Sequence, residues 1–87
     1  MPHRGMDWRQ VVGTNINRLR VAKGITQEEA AHRADIDLTY WGGIERGRRN
    51  PSLLVLVRIA QTLSISPVEL LRTDRSPGAN RKSRSQQ

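Results

Sequence analysis

Apolar residues recur at helical spacing in five stretches of this chain, separated by short clusters of turn formers. In the first, Val12, Ile16, Leu19 and Ala22 lie near one face, while Arg9, Asn17, Arg18 and Arg20 fall mostly elsewhere. Asp7, with Gln10 three residues on, suits the start of that helix, and Gly24 suits its end, with Ile25 tucked under the turn. Trp8 in the first turn is expected to be a partly buried anchor against the last helix. In the second stretch Thr26 caps and Glu29 completes a capping box, and Ala30, Ala31 and Ala34 form the apolar stripe. Asp35, Ile36 and Asp37 make a corner with Ile36 pointing inward. Asp37 caps a third helix that runs to about Arg46, and Gly47 stops it where a left-handed residue is wanted.

After the boundary at Asn50, Pro51 and Ser52, a fourth helix is predicted from Leu53 to Leu63, with Leu53, Leu56, Ile59, Ala60 and Leu63 as its core stripe. Leu54, Val55 and Val57 are apolar too, so this helix is either enclosed or shared with another chain. Ser66, Pro67 and Glu69 read as a second capping box, opening a short fifth helix to about Leu71 that contributes Val68, Leu70 and Leu71. The pattern therefore predicts an all-α chain. A compact five-helix domain spans 7–71, between a flexible N-terminal arm (1–6) and a disordered basic tail (72–87). The second and third helices, joined by so tight a corner, form a helix-turn-helix, an arrangement whose second helix lies in a DNA major groove.

Charge sharpens this reading. The 87 residues carry a formal charge of +7, which favours a polyanionic partner: nucleic acid first, an anionic membrane surface second. The tail sets Arg72, Arg75, Arg81, Lys82 and Arg84 against Asp74 alone. It lacks the aromatic or leucine partners of a surface-seeking helix, which argues against a membrane role. With no cysteine there is neither a disulfide framework nor a thiolate metal site. No apolar run approaches the ~20 residues needed to span a bilayer, and the N-terminus lacks the apolar centre of a signal peptide. A cytoplasmic, nucleoid-associated protein is the simplest expectation. His3 falls in the arm and His32 on a helix surface. No carboxylate pair, glycine-rich phosphate loop or nucleophile motif is present, so no enzyme, cofactor or metal is expected.

The segments RLRVAKGITQEE, YWGGIERGRRNPSL and RIAQTLSISPVELL together resemble the phage-repressor and Cro-like (Xre-type) helix-turn-helix family, over about Val12 to Leu71. The YxxGIERGRRNP portion looks most like the small controller proteins of restriction–modification systems, although many stand-alone Xre-type regulators share it. The resemblance implies a homodimer that binds a palindromic double-stranded DNA operator and regulates transcription, with contact to RNA polymerase depending on where the operator lies. It also implies roles for individual residues. Gln27 matches a glutamine that meets phosphate, and Thr26 stands beside it at the helix N-terminus, where free N–H groups suit anions. Leu38 and Thr39 match positions at the tip of the recognition helix that read base edges: Thr39 by hydrogen bond or methyl contact, Leu38 by apolar contact with thymine methyls. Relatives often carry arginine or glutamine at the Leu38 position, so reading of guanine there is lost. Tyr40 matches a phosphate contact. The salt bridge expected from the family pairs Arg20 with Glu45 and pins the first helix to the recognition helix.

Other expectations come from the residues themselves. Gly42 and Gly43 are costly inside a helix, ~1 kcal/mol each relative to alanine. Two explanations stand: close approach of bare backbone to DNA, which makes both candidate base-reading positions, or close helix packing within the protein. Arg46, Arg48 and Arg49 are suited to clamp phosphates, and one of them could reach guanine. Where relatives carry leucines in the second helix, this chain has Ala30 and Ala34; where they carry leucine or isoleucine in the third, it has Trp41. The indole is expected to fill the space the alanines leave. Asp35 stands where glycine is usual, and aspartate tolerates the left-handed region better than most residues. Leu54, Val55 and Val68 are the candidate homodimer seam. An alternative use of the same apolar face is an antitoxin-like interaction module that masks a partner protein.

Overall fold

A computed structural model describes residues 6–73. It contains four α-helices, α1 (Trp8–Ala22), α2 (Gln27–Ala34), α3 (Leu38–Glu45) and α4 (Leu53–Thr62), and a closing 3₁₀ turn over Pro67–Leu71. The all-α class is as expected, but the fifth element is 3₁₀ rather than α-helical. Five residues starting at proline offer too few i→i−4 bonds to hold an α-helix. Residues 1–5 and 74–87, which include most of the expected arm and basic tail, lie outside the described residues.

The caps are largely where side-chain chemistry puts them. Asp7 accepts from the Arg9 amide, Asp37 from Tyr40 and Ser52 from Val55, and the Thr26–Glu29 capping box is complete in both directions. Two assignments change. Ser66 accepts from the Val68 amide, but the Glu69 carboxylate turns to Arg72 at 2.9 Å instead of closing a box. Gln10 does not cap α1 either; its amide donates to the Arg46 carbonyl at 3.1 Å.

All four α-helices end alike. Gly24, Asp35, Gly47 and Ser64 have φ values of 70°, 57°, 76° and 58°, and each left-handed residue donates to the carbonyl three positions back. The next residue donates five positions back: Ile25 to Arg20, Ile36 to Ala31, Arg48 to Gly43, and Ile65 to Ala60. This is the Schellman arrangement, in which an apolar residue after the turn packs back on the helix. Ile25, Ile36 and Ile65 do so, each partly buried against the core. At the end of α3 the corresponding residue is Arg48, and it faces solvent.

Packing runs as a closed ring: α1 on α3, α3 on α2, α2 on α4, α4 on the 3₁₀ turn, and the turn back on α1. Inside lie Val12, Ile16, Ala30, Ala31, Ala34, Trp41, Ile44, Ile59, Ala60, Leu63 and Leu70. Trp41 is fully buried in the same cluster as the three alanines, as the volume argument requires. Other core assignments fail. Ala22 is exposed, Leu53 is 71 % exposed, and of the three apolar residues in the closing turn only Leu70 is buried. An α4 that is apolar nearly all round gives no contrast to show which face turns inward.

Two polar residues bind the ring together. Buried Asn15 on α1 donates at 2.9 Å to the carbonyls of both Leu70 and Arg72, satisfying the end of the 3₁₀ turn. Arg58 on α4 donates at 3.1 Å to the carbonyls of Ala34 and Asp35, which α2 leaves free at its C-terminus. Gly13 marks where α1 crosses α3. A methyl there would overlap the Ile44 carbonyl oxygen and stand 2.6 Å from that of Glu45.

Candidate nucleic-acid interface

The α2–α3 pair is held from beneath by one carboxylate. Glu45, at the end of α3, is buried and receives five hydrogen bonds from four side chains. Arg20 donates from Nε at 2.6 Å and from Nη2 at 3.1 Å, Asn17 at 2.9 Å, Gln27 at 2.9 Å and the Trp41 indole at 2.6 Å. Arg20 also donates to the Ile25 carbonyl at 2.7 Å, so one guanidinium ties the end of α1, the α1–α2 turn and α3. Burial pushes the Glu45 carboxyl upward, the largest single influence. The bonds from Arg20, Asn17, Gln27 and Trp41 together outweigh it and hold the group at about 2, against its ordinary 4.5. The expected Arg20–Glu45 pair is therefore present, inside a larger cluster.

Burying and neutralising Glu45 leaves the outer side of α3 to other groups. Asp37 fixes its start, and Leu38 (45 % exposed) and Thr39 stand exposed at the leading tip. Tyr40 is half-buried. Arg46, Arg48 and Arg49 are all exposed around the trailing end, and among the described residues none has a carboxylate partner. The Arg49 guanidinium lies over the Tyr40 ring, 5.5 Å from its centroid. Gln27, at the first position of α2, spends one amide hydrogen on Glu45. The other has no acceptor among the described residues. The Thr26 hydroxyl accepts from the Glu29 amide.

Both glycines are buried, Gly42 beneath Arg46 and beside Gln27 of α2, Gly43 beneath Arg49. A methyl on Gly42 would lie 3.2 Å from Arg46 Nη1, and one on Gly43 would lie 2.9 Å from Arg49 Cγ. The close helix crossing occurs at Gly13 instead, a residue with no distinguishing signal in the sequence.

The α2–corner–α3 unit and the exposed arginines that follow it lie within residues 16–70, which the helix-turn-helix family model matches. The chain belongs to the helix-turn-helix family. It is 47 % identical, over 77 residues, to the HTH-type transcriptional regulator y4dJ of Sinorhizobium fredii, covering 87 % of this chain and all of that one. Among solved structures, the restriction–modification controller protein C.AhdI of Aeromonas hydrophila superposes with a TM-score of 0.70 at 42 % identity, covering 71 % of this chain and 94 % of its own. The controller protein C.Esp1396I, solved as a tetramer in complex with its natural 35 base-pair operator, superposes with a TM-score of 0.67 at 34 % identity, covering 75 % and 96 %.

Within the helix-turn-helix unit, the structure brings Gln27, Thr39, Gly42 and Arg46 to one side of α3, and Tyr40, Gly43 and Arg49 to the neighbouring side. Leu54, Val55 and Val68 lie away from this face, on α4 and the 3₁₀ turn; Leu54 is 75 % and Val68 64 % exposed, and Val55 is half-buried. Trp8, expected to be partly buried, is 40 % exposed and borders a separate groove of about 170 Å³ with Leu56 and Leu71. No helix of the described residues is long and apolar enough to cross a membrane.

Proposed function

We propose that this protein is a DNA-binding transcription regulator whose α3 enters the major groove, with two copies reading the half-sites of a palindromic operator. The observation that carries this is the exposure of Leu38 and Thr39 at the tip of α3, beside three exposed arginines that have no carboxylate partner among the described residues. Thr39 supplies a hydroxyl and a methyl to a base edge; Leu38 supplies an apolar surface suited to thymine methyls. Arg46, Arg48, Arg49, Tyr40 and the Gln27 amide supply phosphate contacts, which set register without reading sequence. Leu54, Val55 and Val68 form the seam between copies. Burying Leu54 and Val68 removes large apolar surface from water and places two recognition helices about one duplex turn apart. Monomers by light scattering at micromolar concentration would remove that seam.

The same reading places the protein in the cytoplasm on the nucleoid, with RNA polymerase as a neighbour wherever the operator adjoins a promoter, and gives it no catalytic step. Two substitutions test the division of labour. Arg48→Ala should weaken binding to all duplexes alike and lower the slope of log affinity against log salt by about 1. Thr39→Ala should flatten preference at one base pair per half-site, a loss of about 1 kcal/mol of discrimination, with the salt slope unchanged. A uniform loss from Thr39→Ala would assign it to the phosphates.

A further inference from the structure

We infer that Gly43 is a positioning residue for Arg49: its missing side chain is a shelf on the recognition helix that holds the arginine against Tyr40. The backbone begins the arrangement. After Gly47 turns the chain, the Arg48 amide bonds to the Gly43 carbonyl at 2.9 Å, which brings residue 49 back alongside residue 43. The Arg49 stem then runs over the bare Cα: a methyl on Gly43 would lie 2.9 Å from Cγ, 3.1 Å from Nε and 3.5 Å from Cδ. Beyond the shelf, the guanidinium rests 5.5 Å above the centroid of Tyr40, one helical turn earlier on α3.

The contacts fall on the inner stem of the arginine, which cannot swing clear without moving the head. At Gly42 the nearest atom is the tip of Arg46, at 3.2 Å, which yields easily. Arginine has high rotamer entropy, and a head already held in place loses less on binding. The shelf thus offsets the helix propensity that glycine gives up: it delivers a fixed cation to the edge of the face that meets DNA. This rests on the DNA-binding role proposed above, but the placement of Arg49 is a property of the free protein and is tested separately.

The test is a double-mutant cycle on the full chain with Gly43→Ala, Arg49→Ala and both, using the duplex that the unmodified protein selects from a random pool. Gly43→Ala should lower affinity about 3- to 10-fold in the unmodified background and leave it unchanged in the Arg49→Ala background. Its thermal midpoint should not fall, because alanine is the better helix former. In the free protein, NMR should show ring-current-shifted Arg49 side-chain protons that return towards ordinary positions in Gly43→Ala. An equal loss of affinity in both backgrounds would mean that the new methyl itself meets the DNA, and would overturn the inference. So would unchanged affinity in both, or unshifted Arg49 protons in the free protein. If the unmodified protein selects no duplex, the DNA-binding reading fails and the NMR shifts alone judge the shelf.

Discussion

Replacing Glu45 with glutamine should cost about 3–5 kcal/mol of folding stability, a large part of the ~5–15 kcal/mol that holds a small domain together. The residue keeps its volume but loses the charge that Arg20 faces in a nearly closed site, where the two side chains are 3 % and 11 % exposed. It also turns a pure acceptor of five bonds into a group with only one acceptor oxygen, leaving Arg20, Asn17, Gln27 and the Trp41 indole to compete for it. The effect must depend on pH. The folded carboxyl titrates at about 2 and its ordinary value is 4.5, so on acidification the unfolded chain takes up the proton first. The stabilisation is complete above about pH 4.5, diminishes below it, and is gone once pH has fallen through about 2; the shift corresponds to roughly 3 kcal/mol. Urea melts at pH 7 and pH 3 should therefore show a wide gap between native protein and Glu45→Gln at neutral pH that narrows in acid. Equal midpoints at pH 7 would mean that the cluster contributes nothing.

The second large effect is expected at a residue with no side chain. Gly13→Ala puts a methyl against the backbone carbonyls of Ile44 and Glu45, and backbone at the end of α3 cannot move as a side-chain tip can. Overpacking of this kind costs about 1–3 kcal/mol or more, against a gain of ~1 kcal/mol in helix propensity. Contacts this close, with rigid backbone, put the cost at the upper end of that range, so the net result should be destabilisation of about 2 kcal/mol, together with a shift of α3 that lowers DNA affinity. Thermal melts and binding to the selected duplex measure both. A more stable Gly13→Ala would show that α1 and α3 are not in close contact.

The sequence showed the parts of this fold that rest on local chemistry. Thr26, Asp37 and Ser52 announce helix starts because a short polar side chain can reach its own backbone only there, and Gly24 and Gly47 mark the stops for a similarly local reason. Ser64 was missed because a left-handed serine carries no such mark. The Arg20–Glu45 pair came from family resemblance; the rest of its cluster was hidden because Asn17, Gln27 and Trp41 arrive from three helices. Only Trp41, four residues before Glu45 on the same helix, had a spacing that pointed to the contact. Gly13, Asn15 and Arg58 act across the fold, where sequence distance says nothing about proximity. On α4, surplus hydrophobicity concealed which face was inside.

Selection of bound sequences from a random pool of duplex DNA tests the central claim most directly. The account predicts a two-fold symmetric site whose half-sites lie about one helical turn apart, with thymine favoured where Leu38 meets the groove, and a preference that Thr39→Ala relaxes at one position per half-site. Recovery of the unselected pool, or a consensus untouched by changes at Leu38 and Thr39, would contradict it.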